Sequence, residues 1–179
     1  MRRMIAGSLI LIAVSLASAQ STKPESADVI LKAALQTAGS SQKSVLVLFH
    51  ASWCSWCKRL DKVLEEPSIH KLMDENYVIT RLDVFENGEK AETLENPGGR
   101  TIAADLGGEQ SGLPFYAFLD AKGKKLADSN VMPKNQNIGY PGSPEEIEAF
   151  GKLLQATAPR MSDQQRSVIL EYLHKNAPH

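Results

Sequence analysis

Cys54 and Cys57 are the only cysteines in the chain, and Ser55 and Trp56 stand between them. Two sulfurs at this spacing can form a disulfide that thiol–disulfide exchange opens and remakes. As a staple the pair is poorly placed. Closing so short a loop is worth roughly 2 kcal/mol on the loop-entropy estimate, against about 3 kcal/mol for fifteen residues. The spacing suits a bond that works by opening and closing. Haem attachment requires a histidine directly after the second cysteine, and residue 58 is Lys. A structural zinc site requires four ligands, and none of His50, His70, His174 and His179 stands at finger-like spacing, so no metal is expected.

The flanking residues say what positions the pair. Ser44–His50 is a short, almost wholly apolar run, as expected of a strand covered on both faces. Cys54 to Leu64 carries helix formers, with Leu60, Val63 and Leu64 on one side. Cys54 therefore falls where a strand passes into a helix, and its thiol meets the unpaired amides and dipole of the helix N-terminus. A thiolate is favoured there, and Cys57 lies one turn further in, able to resolve a mixed disulfide. Asp61 stands four residues beyond Cys57 and reads either as a proton acceptor for it or as a solvated surface carboxylate. Lys58 and Arg59 either stabilise thiolate by Coulomb attraction or simply solubilise the helix. Trp53 and Trp56 offer an apolar platform for a substrate, with Trp53 expected half-buried and Trp56 exposed.

Around this centre the pattern is one of alternating elements. Ala27–Ala38 reads as a helix burying Val29, Leu31, Ala34 and Leu35, stopped by Gly39. Pro67 interrupts the helix after the cysteines, and Ile69–Asn76 forms further turns. Tyr77–Phe85 reads as a second buried strand, and Glu86–Gly99 as a solvated acidic loop ending in Asn96-Pro97-Gly98-Gly99. A short helix is expected over Thr101–Leu106, a strand over Phe115–Leu119, and a hairpin partner over Lys125–Asn130. Ser143 and Ser162 each open a helix with a capping box, running to about Ala156 and Lys175. Strand, helix, strand, helix, hairpin, helix is the order of an α/β sheet with helices packed on it.

The N-terminus has the layout of a secretory leader: Arg2 and Arg3, an apolar run from Ile5 to Leu16, then Ala17-Ser18-Ala19. The run is shorter than the roughly 20 residues that span a bilayer. The chain divides into a leader at 1–19, an N-terminal segment and helix at 20–43, a central domain at 44–157 and a C-terminal helical extension at 158–179. Export places the cysteines where a disulfide can form. A net charge of -1 offers nothing to a nucleic acid.

Val45 to Cys57, with Phe49, Ala51 and Trp53-Cys54-x-x-Cys57, resembles the thioredoxin superfamily, and the likeness continues at Gly112-Leu113-Pro114-Phe115. It implies a thioredoxin-like α/β fold, a central mixed β-sheet flanked by helices, with an extended loop before a cis-proline and an extra C-terminal helix. It implies that Pro114 is the cis-proline facing the cysteines and that Leu113 pairs its backbone with a substrate strand. Leu48, six positions before Cys54, stands where thioredoxins carry a buried acid. The Trp-Cys-x-Trp-Cys-Lys pattern and the long loop look most like exported bacterial thioredoxin-like proteins, including reducing domains of periplasmic disulfide relays. The resemblance implies a monomeric periplasmic thiol–disulfide oxidoreductase with no cofactor beyond the Cys54–Cys57 disulfide. Cysteine-bearing exported proteins are its expected substrates, and a membrane disulfide-relay protein its expected electron partner. The other reading is a redox-inactive binding module of the same fold, its disulfide structural or its cysteines occasionally holding a metal.

Overall fold

The computed structural model describes residues 23–178, so the leader expected at 1–19 lies outside the described residues. The fold is built on β1 (Ser44–His50), whose five interior residues are all buried. β1 pairs in parallel with β2 (Tyr77–Asp83) and antiparallel with β3 (Phe115–Leu119), which pairs antiparallel with β4 (Lys125–Asp128). The sheet order is β2-β1-β3-β4, a mixed sheet as the resemblance implies. The parallel step from β1 to β2 needs a crossover. α2 (Ser55–Glu65) and α3 (Pro67–Asn76) supply it.

Alternation along β1 divides the core in two. Leu46 and Leu48 join α2 (Leu60, Val63, Leu64) and α3 (Ile69, Met73), together with α6 (Pro144–Thr157) and α7 (Asp163–Lys175). Val45, Val47 and Phe49 face the other side, against α1 (Ala27–Ser41) and α5 (Gly99–Asp105). A short α4 (Lys90–Thr93) lies between β2 and α5. α6 and α7 both begin with the capping boxes read from the sequence, Ser143 with Glu146 and Ser162 with Gln165. α7 buries Ile169 and Leu173 in the same cluster as the sheet, so the C-terminal extension is part of the main core.

Several expectations are corrected. α1 does not stop at Gly39 but runs to Ser41, where Gln42 turns left-handed at φ 56°. The hydroxyls of Ser40 and Ser41 bond back to the Thr37 carbonyl and sustain the last turn. Its fully buried side chains are Ala27, Ala34 and Ala38, whereas Val29 is exposed. Small residues let the helix approach the sheet closely, and the larger Leu31 and Leu35 pack at the margin. Pro67 does not merely interrupt a helix: it opens α3 at the first position, where its missing N–H costs nothing. β2 ends at Asp83 and is only half-buried, because it is an edge strand.

Candidate active site

β1 ends at His50, and the chain turns through Ala51, Ser52 and Trp53 to Cys54, whose amide donates to the Ala51 carbonyl at 3.0 Å. Cys54 is the N-cap of α2. Its Sγ accepts from the Cys57 amide at 3.1 Å, so the sulfur itself caps the helix. The same amide would hold a thiolate once the bond is reduced. Cys54 and Cys57 form a disulfide, with an S–S distance of 2.09 Å. Both are nearly buried, at 3% and 2% exposure, beside Ala51 and Leu113.

The Leu113–Pro114 peptide bond is cis, and Leu113 packs against the two cysteines. The loop that presents them is braced from a segment the sequence reading passed over. Asn137 Nδ2 donates to the carbonyls of Gly112, at 2.6 Å, and Pro114, at 2.9 Å, while its Oδ1 accepts from Gly139. A groove of about 1190 Å³ runs along this loop, with Trp56, Pro114, Tyr140 and Pro178 among its walls. A polar residue in a run of polar residues carries no local signal of such a role, so Asn137 was not legible in the sequence.

Trp56 is exposed as expected, at 44%, but Trp53 is more exposed still, at 53%. The Trp53 indole N–H donates to the Phe85 carbonyl at 2.8 Å, which holds the ring by its edge. Glu86 corrects the reading of 86–99 as simply solvated. It is buried, and its carboxylate accepts from both the amide and the hydroxyl of Ser52. Lys90 Nζ donates to the same hydroxyl at 3.2 Å. Phe85 and Glu86 together hold the two residues that precede Cys54. Glu95, hydrogen-bonded to Arg100, sits below the usual carboxylate range because of that partner.

Asp61 pairs with basic partners. Its Oδ1 accepts from Arg81 Nε at 2.7 Å, and its Oδ2 is 3.8 Å from His50 Nδ1. The other nitrogen of His50 lies 3.4 Å from Asp83 Oδ1. Burial, the largest effect, raises the Asp83 pKa; His50 opposes the rise, and Glu86 and Asp61 add to it. Leu48 is buried at the centre of the sheet, opposite Arg81 on β2 and Tyr116 on β3. The ionisable group beside it on β3, Tyr116, is fully buried. Burial first, then Glu146, pushes its hydroxyl well above the usual tyrosine range.

A family model described as thioredoxin-like matches residues 28–121, more than half of the chain. The chain belongs to the thioredoxin-like family. A protein disulfide-isomerase of Hordeum vulgare is 32% identical to this thioredoxin-like chain over 100 residues, covering 56% of it and 17% of the plant protein. The thiol:disulfide interchange protein DsbD of Photorhabdus laumondii is 26% identical over 93 residues, covering 51% and 14%. The chain thus spans about a sixth of the length of these curated relatives. Among solved structures, a disulphide isomerase from Xylella fastidiosa Temecula1 superposes with a TM-score of 0.51 at 23% identity, covering 91% of this chain and 98% of that one. That likeness is one of fold. The family match ends at Ala121, so the segment carrying Asn137 and Tyr140 and both C-terminal helices lie beyond it.

Proposed function

We propose that the chain is an exported thiol–disulfide oxidoreductase that reduces disulfides in cysteine-bearing exported proteins. The observation that carries this reading is the Cys54–Cys57 disulfide at the α2 N-terminus, with the Cys57 amide on Cys54 Sγ and Leu113, which precedes the cis-proline, packed beside it. In the reduced state the Cys54 thiolate attacks one sulfur of a substrate disulfide. The substrate S–S bond breaks, the departing thiolate takes up a proton, and a mixed disulfide forms through Cys54. Cys57 then loses its proton and attacks Cys54 Sγ, releasing the second substrate thiol. Two electrons pass to the substrate, and the Cys54–Cys57 bond is left for an electron donor to reduce. Leu113 and Pro114 hold the substrate strand, and Trp53 and Trp56 present apolar surface to it. Asp61, one helical turn beyond Cys57, is the carboxylate proposed to accept the Cys57 proton.

The leader-like residues 1–19 support export, and the likeness to a thiol:disulfide interchange protein supports a disulfide-relay protein as partner. The near-complete burial of both cysteines favours a second reading, a binding module with a structural disulfide. Insulin reduction separates the two, since the enzyme shows Cys54-dependent turnover and the module none. Cys57→Ser in an exporting host is expected to accumulate adducts of exported proteins on Cys54 that dithiothreitol releases. Their absence would falsify the oxidoreductase reading. A reduction potential near -270 mV supports the reductive direction, and one near -120 mV reverses it.

A further inference from the structure

Trp56 stands between the two cysteines, and two groups hold its ring, Tyr140 from a distant loop and Arg59 from the same helix. The indole stacks on Tyr140 with centroids 5.7 Å apart and planes at 27°. The Arg59 guanidinium carbon lies 5.7 Å from the Trp56 centroid and 5.2 Å from that of Tyr140. Arg59 Nη2 donates to the Asn176 carbonyl at 3.1 Å, and the Tyr140 hydroxyl donates to the same oxygen at 3.5 Å. Asn176 caps the end of α7, with its amide bonded to the Tyr172 and Leu173 carbonyls. α7 is in turn anchored by Ile169 and Leu173. Just beyond it, Ala177 and Pro178 line the groove that also holds Trp56 and Pro114.

A continuous set of contacts therefore runs from the core, through the end of α7, to the residue inside the redox motif. We infer that the end of α7 is a specificity element: through Arg59 and Tyr140 it fixes Trp56 as a rigid wall of the groove leading to the disulfide, which favours polypeptide disulfides over small ones. The inference rests on the oxidoreductase reading. A pre-ordered aromatic wall spares a bound segment the entropy of ordering it. A small disulfide engages the sulfurs alone, whereas a polypeptide has chain flanking its cysteine to lie along a groove of about 1190 Å³. Arg suits the position because a planar guanidinium can stack on both rings and still donate to the carbonyl, which a lysine ammonium cannot. Arg59 is thus a positioning residue that acts through Trp56.

The test is the ratio of kcat/KM for insulin to kcat/KM for a small aromatic disulfide, 5,5′-dithiobis(2-nitrobenzoate), measured on the full chain. Arg59→Ala, Arg59→Lys and a chain ended after Lys175 are each expected to lower this ratio about fivefold, the scale of one aromatic or cation–π contact. A second arm reads the wall itself. With Trp53→Phe in place, Trp56 is the only tryptophan, and Arg59→Ala is expected to lower its fluorescence anisotropy under excitation selective for tryptophan. An unmoved ratio, or an unmoved anisotropy, overturns the inference while leaving the oxidoreductase reading intact. A wild-type chain that reduces neither disulfide ends both.

Discussion

Tyr116 puts a hydroxyl into the apolar cluster that holds Leu46, Leu48 and Phe118, and that hydroxyl finds no hydrogen-bond partner among the described residues. An unsatisfied buried hydroxyl costs on the order of 1–3 kcal/mol. Tyr116→Phe keeps the edge-on contacts with Phe118 and Phe150 and removes the cost. It is expected to raise the urea midpoint by the equivalent of about 1 kcal/mol with an unchanged m-value; a lowered midpoint would show that the hydroxyl is bonded. Asp83 makes a pH-dependent contribution at the same scale. Burial raises its pKa above the ordinary 3.8, so the folded state holds the proton more tightly than the unfolded state does. Its contribution is full below the ordinary pKa and is lost as pH climbs through the raised value. Asp83→Asn removes that loss, so the Tm difference, variant minus wild type, is expected to increase from pH 4 to pH 7. A difference that is flat or falls with pH contradicts the assignment.

Elements carry the site by their ends. β1 delivers Cys54 to the first turn of α2, and α6 is capped by Ser143 on the rim of the groove. The Ser143 hydroxyl accepts from the Glu146 amide at 3.2 Å, while the Glu146 carboxylate takes the amides of Gly142 and Ser143 at 2.9 Å. This reciprocal cap fixes where the helix starts and how the 139–142 backbone enters it. Ser143→Ala is expected to cost about 1 kcal/mol in urea unfolding. A change within experimental error would mean that the Glu146 half of the cap is sufficient alone.

At the scale of the whole molecule, β1 is the wall between two apolar layers, and α7 belongs to one of them. Leu173 is fully buried in the cluster that also holds Leu46, Leu60 and Ile147. A helix appended to a finished domain would melt by itself; one that shares the core melts with it. Leu173→Ala is expected to cost about 2–5 kcal/mol and to lower a single unfolding transition followed by circular dichroism. Two separate transitions would show that 158–178 is an independent unit.

The sequence alone established what local chemistry dictates. The apolar run at Val45–Phe49, the cysteine at the start of a helix and the two capping boxes are contacts between near neighbours, so spacing reveals them. Pro114 was legible through its likeness to a known family, and its bond is cis. Only the tertiary structure decided which face of α1 is buried, because the approach of helix to sheet selects alanines over the larger Val29. It decided that Glu86 is a buried clamp on Ser52 rather than one more solvated acid, since that pairing joins residues 34 positions apart. It also decided the surroundings of Trp56, where Arg59 from the same helix meets Tyr140 and the Asn176 carbonyl, 117 positions away from Arg59. Side chains that act across such separations leave no period or spacing in the chain, because what brings them together is the packing of the elements that carry them.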